Sequence, residues 1–345
     1  MPRVSVLMGV YNEEFNYIDL AIKSILSQSF TDYELIIIND APENKKMREF
    51  LIKEKKLSSK ISIYTNEYNM GLAVSMNKAF KYSSGQYIAR MDSDDISFAT
   101  RLEKEVKILD SGKYDFVFTN YNIIDSQGKL IKEKVSDYYS NKDITNNLYK
   151  KNIIHHPTIM MTRDIFMKAN GYRNFPCAQD YDFWLRLISI DCRFYMIDEV
   201  LFNYRIRNTS TTARRRVQQK ITIEYSRKLF LERLKYGMDT YSYEEYEQYV
   251  EKTKSMYCNI DEQFEKSNKK LRRAQELKKE KKNILALFYR INVFFSSPFY
   301  RDSYIRQNKE IKKIKKILNK WLEELYVCFF VKIKYNCIFD LLYVV

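Results

Sequence analysis

The sequence predicts an α/β fold in which a mostly parallel sheet carries helices on both faces, followed by a mainly helical C-terminal extension. Within the first hundred residues, short apolar runs alternate with amphipathic segments, the pattern of consecutive βα units. After residue 213 the pattern changes to a long, mainly helical region rich in Lys, Glu and Tyr. We therefore expect one α/β domain over residues 1–213 and a helical, basic region over residues 214–345.

The first domain opens with alternating strand and helix patterns. The four predicted strands cover residues 3–10, 34–39, 61–65 and 86–91. Two segments between them, 17–27 and 71–82, repeat apolar residues at a helical period. We expect both apolar stripes, including Leu20 and Leu72, to pack in the core.

Three carboxylates follow the fourth predicted strand, at Asp92, Asp94 and Asp95. Ionised side chains cannot lie unpaired inside a sheet, so they must emerge where the strand ends. In open α/β sheets that edge binds ligands, and paired carboxylates there suit Mg²⁺ or Mn²⁺. A surface turn with solvated acids is the alternative, and the triplet alone leaves both open.

Two other strands bring polar groups to the same edge. The first strand runs into Tyr11 and Asn12, and the second ends in Asp40. Convergence of three strand ends favours a binding site over a chance cluster.

Three known types of site do not fit the acidic segment. An EF-hand loop starting at Asp92 would require glycine where Ser97 stands and an oxygen ligand where Ile96 stands. A dehydrogenase requires a glycine-rich turn, but residues 4–10 are followed by Tyr-Asn-Glu-Glu. A phosphatase with an aspartyl nucleophile would carry its D-x-D after the first strand.

Composition narrows the cellular context. The five cysteines lack C-x-x-C spacing, so we expect reduced packing residues in a cytosolic compartment. The N-terminal apolar run is too short for a signal peptide, and no run of about 18 uncharged apolar residues predicts a spanning helix. The net charge is +15, and residues 265–320 hold 18 Lys and Arg against 5 Asp and Glu.

Six sequence blocks together resemble a family 2 glycosyltransferase with the GT-A fold, a Rossmann-like α/β architecture. The blocks are Val4–Asn12, Ile25–Phe30, Glu34–Asp40, Asn69–Leu72, Gly85–Asp95 and Gln179–Arg186. The resemblance runs from residue 3 to about residue 212, with the blocks in family order.

The resemblance implies a nucleotide-sugar donor, with UDP as the expected nucleotide. By position, Val10 and Tyr11 would line the base, and Asp40 would accept a hydrogen bond from the uracil ring. Asn12 would also belong to the donor-binding residues. Asp92 would lie near the ribose.

The resemblance also implies inverting transfer assisted by a divalent metal. Asp94 would ligate the Mg²⁺ or Mn²⁺ that bridges the diphosphate, and Asp180 would take the proton of the acceptor hydroxyl. A cation neutralises the leaving diphosphate without a proton, and a positioned carboxylate activates the weak hydroxyl nucleophile.

Two residues depart from the family pattern. Relatives usually carry Glu where Gln179 stands, so Asp180 loses a negative neighbour. Many relatives carry His where Arg207 stands. An arginine cannot ligate a cation but can grip a diphosphate through two hydrogen bonds.

Several further residues are candidates for the acceptor side or the cleft. Adjacent histidines on a strand face opposite ways, so one of His155 and His156 would be structural, and His156 is the cleft candidate. Trp184 shares the helix face of Asp180 and is either core or a sugar-stacking wall. Asp95 and Gln179 complete this set. Arg90 either pairs with the acids or meets a phosphate.

The C-terminal region predicts a basic amphipathic helix at 311–325 after a charged, solvated helix at 261–282. We expect an anionic membrane surface as its partner rather than nucleic acid, with docking on the first domain as the alternative. The predicted protein transfers sugar to a glycan or lipid-linked glycan in polysaccharide biosynthesis, at the inner face of the cytoplasmic membrane. The alternative is an inactive sugar-nucleotide or glycan binding module.

Overall fold

The computed structural model describes residues 1–207, 215–254, 260–280 and 282–296. Within these ranges nine strands form one sheet. The strands are β1 Val4–Val10, β2 Tyr33–Asn39, β3 Ile61–Thr65, β4 Tyr87–Asp92, β5 Ile96–Ser97, β6 Phe116–Ile124, β7 Leu130–Lys132, β8 Ile159–Thr162 and β9 Phe194–Arg205.

Helices connect the strands and continue after them. They are α1 Phe15–Leu26, α2 Lys45–Lys55, α3 Leu72–Tyr82, α4 Arg101–Asp110, α5 Asn141–Leu148, α6 Arg163–Lys168, α7 Gln179–Ser189, α8 Arg216–Tyr236, α9 Tyr243–Lys254, α10 Ile260–Lys279 and α11 Asn283–Ser296. A short 3₁₀ turn, His156–Thr158, precedes β8.

The strand order is β3-β2-β1-β4-β8-β6-β9-β5, with β7 beside β6. The first four strands in this order are parallel, and β8 is antiparallel to both of its neighbours. The predicted α/β class with a mostly parallel sheet is therefore confirmed. In register, Val10 lies beside Asn39 and Gly9 beside Asp92, so β1, β2 and β4 end at one edge.

The core lies on both faces of the sheet because side chains alternate along each strand. Val6 and Met8 belong to one apolar cluster, and Leu7 belongs to the other. Helix α1 covers the first cluster with Ile18, Ala21, Ile22 and Ile25. Leu20 was expected in that stripe, but it is 43% exposed because it lies on the outer face of α1. Leu72, the first residue of α3, was also expected in the core and is 36% exposed.

The chain divides into two compact units, Met1–Cys258 and Asn259–Val345. In the first unit, α8 packs on α7, and Arg227 of α8 donates to the carbonyl oxygens of Tyr149 and Lys150. The domain boundary expected after residue 213 stays a prediction.

In the second unit, α10 packs against α11. Ala274 and Leu277 of α10 are buried, as are Ala286 and Val293 of α11. The prediction of a charged, solvated helix at 261–282 is confirmed for 260–279, except that one face of the helix, with Ala274 and Leu277, is buried. The helix expected at 311–325 lies outside the described residues.

Two further observations bear on the cellular context. Of the cysteines in the described ranges, Cys177 and Cys192 are free and buried. No helix of the described part combines the length and the apolar character needed to cross a membrane.

Candidate active site

The end of β1 provides one buried and two exposed residues at the carboxyl edge of the sheet. The Val10 side chain is buried, so its carbonyl oxygen, which accepts from the Asp40 N–H at 2.7 Å, is fixed in the sheet. Tyr11 is 43% exposed, and Asn12 is exposed and meets Asn44 Nδ2 at 3.4 Å. A ligand at this edge therefore reaches Tyr11 and Asn12 first.

Asp40 organises the loop between β3 and α3. Its Oδ1 accepts from Asn66 Nδ2 at 2.7 Å and from the Met70 N–H at 2.8 Å, and its Oδ2 accepts from the Gly71 N–H at 2.8 Å. Gly71 has a φ of +83°, a conformation that glycine adopts without strain. A carboxylate oxygen has two lone pairs, so Oδ2 keeps one for a ligand. Asp40 can therefore accept a further hydrogen bond from a nucleotide base, and that contact stays a prediction.

The three carboxylates after β4 have different environments. Asp92 is partly exposed and accepts from Arg90 Nη2 at 2.5 Å. Asp94 is paired with Arg207 through Nη2 and Oδ2, also at 2.5 Å. Asp95 is fully buried, and its Oδ1 accepts from the Arg205 N–H at 2.8 Å. Asp95 was a cleft candidate, but burial gives it a structural role.

Burial and repulsion from neighbouring carboxylates raise the pKa values of Asp94 and Asp95 above those of ordinary aspartates. Burial, followed by repulsion from Asp92, raises the pKa of Asp94 to about 6, while Arg207 opposes the shift. Burial, with Asp94 and Asp92 beside it, holds the pKa of Asp95 well above its usual range. The cluster therefore favours the approach of positive charge.

The carboxylates suit a divalent cation that also takes ligands from a substrate. Across the described ranges, no group of three or more His, Cys, Asp or Glu side chains is placed to hold a metal by itself. Mg²⁺ is commonly held by one or two carboxylates together with phosphate oxygens and water. Asp94 and the partly exposed Asp92 meet that requirement, although Arg207 occupies Oδ2 of Asp94. The residues fit the metal in company with a diphosphate.

Asp180 lies in the first turn of α7, two residues after the N-cap residue Ala178. Ala178 has a φ of +54°, in the left-handed region that is strained for residues other than glycine. Asp180 Oδ2 accepts from Asn152 Nδ2 at 3.0 Å. Burial raises the pKa of Asp180, while hydrogen bonds from the Tyr181 N–H and Asn152 and the charge of Arg90 oppose the rise. A raised pKa makes the carboxylate a better proton acceptor.

The rest of α7 anchors the helix. Asp182 is fully buried and pairs with Arg186 at 2.9 Å and with Arg173 at 3.4 Å. Trp184 is also fully buried, with its ring 5.0 Å from that of Phe116. Of its two expected roles, the core role is the one observed, and the cleft role was wrong because no part of the ring reaches solvent. Gln179, another cleft candidate, is buried, with 7% of its surface exposed.

A cavity of about 290 Å³ lies beside Asn152, the residue that holds Asp180. Its lining comprises Tyr121, Val135, Ser136, Asp137, Tyr139, Lys151, Asn152, Ile153, Ile154 and His155. The sequence interpretation did not identify Asn152 or Tyr121, because neither stands in a charged or glycine-rich motif.

The two histidines have roles opposite to those expected. His155 lines the cavity and stacks on Tyr121 with ring centroids 4.4 Å apart. His156 is buried, and its Nε2 lies 2.9 Å from the Tyr172 hydroxyl, so the assignment of His156 to the cleft was wrong. The reason is that residues 156–158 form a 3₁₀ turn rather than strand, so strand alternation does not apply. Burial lowers the pKa of His155 to about 4, which keeps the imidazole neutral.

Arg90 is a buried cation beside the carboxylates at the end of β4. It is 2% exposed, it pairs with Asp92, and its charge acts on both Asp180 and His156. Pairing with the acids, one of its two expected roles, is therefore observed. Its Nε and Nη1 have no hydrogen-bond partner among the residues that the structure describes.

The parallel sheet with acids at its carboxyl edge, and a base candidate on a helix beyond it, defines a GT-A type fold. The family profile of glycosyl transferase family 2 matches residues 5–169. An uncharacterised glycosyltransferase of Methanocaldococcus jannaschii is 36% identical over 66% of this chain and 79% of its own length. The O-antigen biosynthesis glycosyltransferase WbnJ of Escherichia coli is 36% identical over 61% of this chain and 82% of its own. The chain belongs to glycosyl transferase family 2 and is therefore a glycosyltransferase.

Solved structures share the fold at low sequence identity. TarS of S. aureus in complex with UDP-GlcNAc has a TM-score of 0.52 at 15% identity, over 65% of this chain and 66% of that chain. Mannosyltransferase PcManGT from Pyrobaculum calidifontis, in complex with GDP-Man and Mn²⁺, has a TM-score of 0.51 at 17% identity, over 64% and 63% of the two chains. This chain thus spans slightly less than two thirds of each solved chain.

Proposed function

We propose that this enzyme is an inverting glycosyltransferase that moves a sugar from a UDP-sugar to a hydroxyl of a glycan or lipid-linked glycan. The observation that carries the proposal is that Asp92 and Asp94 lie at the end of β4, at the carboxyl edge of the sheet, while Asn152 both holds Asp180 and lines a cavity. Carboxylates for the donor and a positioned base beside a cavity are the parts that transfer to a hydroxyl uses.

The donor side is assigned from the strand ends. Tyr11 and Asn12 are exposed where a base would lie, and Asp40 keeps a lone pair for a ring N–H. Asp92 would meet the ribose. Fold neighbours hold UDP-GlcNAc in one case and GDP-Man in the other, so the choice of UDP rests on Asp40 and the family resemblance.

Asp94, with Asp92, would hold Mg²⁺ or Mn²⁺. When bound, the cation supplies positive charge against the charge that develops on the leaving diphosphate. Arg207 would add its guanidinium to the same phosphates through paired hydrogen bonds.

On the acceptor side, Asp180 accepts the proton of the attacking hydroxyl. Asn152 fixes the orientation of the carboxylate, because its Nδ2 donates to Oδ2 at 3.0 Å. Attack from the face opposite the diphosphate inverts the configuration at the sugar carbon. The cavity beside Asn152 would receive the acceptor sugar, with Tyr121 and Tyr139 as its aromatic walls.

The acceptor class rests on relatives. WbnJ acts in O-antigen biosynthesis, and Escherichia coli WfgD, 30% identical over 61% of this chain and 79% of its own, is named for a diphosphoundecaprenol-linked GlcNAc acceptor. We extend that class, glycans built on a lipid carrier in polysaccharide biosynthesis, to this chain.

A lipid-linked acceptor requires access to a membrane surface, and we propose that the C-terminal region provides it at the cytoplasmic face. Helix α11 exposes Leu285, Leu287 and Phe288, and residues 265–320 carry the basic excess. Lysines near anionic lipid contribute about 1 kcal/mol each. The full chain should sediment with anionic vesicles at low salt and less in high salt. Failure to sediment at low salt would remove the membrane proposal.

A donor screen tests the enzymatic proposal. The protein is incubated with UDP-sugars, GDP-sugars and Mn²⁺, with and without glycan acceptors, and nucleotide release is measured. Release of UDP that increases with an acceptor supports the proposal. Binding of UDP-sugar without release under any acceptor mixture would identify an inactive binding module instead.

A further inference from the structure

Asp94, the carboxylate proposed to hold the metal, is already paired with a cation of the protein. Arg207 Nη2 lies 2.5 Å from Asp94 Oδ2, and the two side chains are 18% and 14% exposed. Salt screens such a sheltered pair less than an exposed one. A divalent cation and a guanidinium on the same carboxylate repel each other, so metal binding at Oδ2 requires Arg207 to leave.

Arg207 is the arginine of this cluster that can move. Arg205 is 2% exposed and is held by three carbonyl oxygens: its Nε donates to Asp94, and its Nη1 donates to Asp125 and Ser126. Arg207, in contrast, is held by its ion pair with Asp94, and its guanidinium carbon lies 5.9 Å from the centre of the Tyr17 ring.

A diphosphate offers Arg207 a better partner than Asp94 does. The guanidinium matches two phosphate oxygens with parallel N–H donors, and a diphosphate carries more negative charge than one carboxylate. The Arg207 side chain already lies at the edge where the phosphates would arrive. Moving it onto the donor would release Asp94 for the cation.

We propose that Arg207 is an internal counter-ion that exchanges between Asp94 in the free enzyme and the donor diphosphate in the loaded enzyme. The metal and the nucleotide would then bind as a coupled pair, each raising the affinity of the other by the same factor. This inference rests on the proposed function, because it assumes that Asp94 ligates the metal. Arg207 acts here as a positioning residue that controls access to Asp94.

The test measures metal binding without turnover. Free Mn²⁺ is followed by its electron paramagnetic resonance signal in titrations of the full chain, with and without UDP. Arg207→Gln should bind Mn²⁺ about tenfold more tightly than wild type in the absence of UDP, as expected for removal of a close charge pair. The UDP-induced gain in Mn²⁺ affinity should shrink by a similar factor.

Two further variants isolate the cause. Arg207→Lys keeps the charge, so it should bind Mn²⁺ weakly without UDP, as wild type does, but it should lose UDP affinity with its paired donors. Arg193→Gln removes an exposed arginine that pairs with Asp115. Both residues directly precede the first residues of the parallel strands β6 and β9, whereas Arg207 follows the last residue of β9, so this variant should leave Mn²⁺ binding unchanged. Circular dichroism checks that each variant is folded.

Each outcome decides the inference. Equal Mn²⁺ affinity of wild type and Arg207→Gln without UDP would overturn it, while leaving the metal at Asp94 intact. Tight Mn²⁺ binding by Arg207→Lys without UDP would overturn it as well, because charge would not be the barrier. If wild type binds UDP by calorimetry but binds no Mn²⁺ even with UDP, the metal assignment fails and the inference fails with it.

Discussion

Replacing Asp180 by Asn tests the proposed base most directly. The amide keeps the shape of the carboxylate and can still accept the hydrogen bond from Asn152 Nδ2, now 3.0 Å from Oδ2, so the start of α7 should be preserved. It cannot accept a proton from an acceptor hydroxyl. The variant thus removes one chemical property and little structure.

The expected loss follows from general base catalysis. Removing a positioned base lowers the transfer rate by roughly 10² to 10⁴, which corresponds to about 3–5 kcal/mol in the activation barrier. Donor affinity should change little, because Asp180 is held by Asn152 on the acceptor side rather than by the strand ends that form the donor site.

The stability of this variant should move in the opposite direction from its activity. Burial raises the pKa of Asp180 in the folded protein above its unfolded value. Such a group adds stability when protonated at low pH, and that stability is lost as the pH rises through the folded pKa. Asn does not ionise and so does not lose this stability as the pH rises. At neutral pH, Asp180→Asn should therefore melt at the same temperature as wild type or at a higher one.

The assay compares kcat and donor KM for transfer to a glycan acceptor with the melting temperature. Asp182→Asn is the matched control on the same helix, since Asp182 is fully buried between Arg186 and Arg173. Breaking that buried pair should cost about 3 kcal/mol of stability. A donor KM that rises as far as kcat falls, or turnover within threefold of wild type, would refute the role of Asp180 as the base.

Three other predictions concern the surroundings of the site. Asp94→Ala should lose most activity, with little rescue by excess Mn²⁺, and full activity in that variant or in wild type with EDTA would remove the metal proposal. Asn152→Ala deletes a hydrogen-bond donor that lowers the pKa of Asp180, so the acidic limb of the pH profile of kcat/KM should shift to higher pH, with turnover down about tenfold. An acidic limb at the same pH as in wild type would contradict the role of Asn152. Ala178→Gly relieves a left-handed backbone at φ +54° and should raise stability by about 0.5–1 kcal/mol in thermal unfolding, and a lower melting point would contradict the strain.

Much of the first domain could be predicted because its signals are local. Strand predictions at 61–65 and 34–39 agree with β3 and β2 within one residue, since continuous apolar runs mark buried parallel strands. The position of Asp40 and Asp94 at a common edge followed from the same runs. The error at Leu20 came from helix phase, which apolar content alone does not define when a stripe contains Ser24 as well.

Other features could not be predicted because they depend on residues far apart in the chain. Which histidine lines the cavity and which is buried depends on a 3₁₀ turn and on Tyr172, whose hydroxyl is the partner of the buried His156 ring. The buried face of α10 depends on α11, so its charged sequence suggested a solvated helix.

The sequence by itself determined the first four strands, the carboxylates at their ends and the departure at Arg207, because hydrophobic periodicity and side-chain chemistry can be read directly from consecutive residues. Tertiary structure alone decided which charges meet. Asp94 pairs with Arg207, and Asn152 holds Asp180, across long sequence separations. The physical reason is that an ion pair or hydrogen bond depends on distances of a few ångströms, and only the packing of β4, β9 and α7 sets those distances.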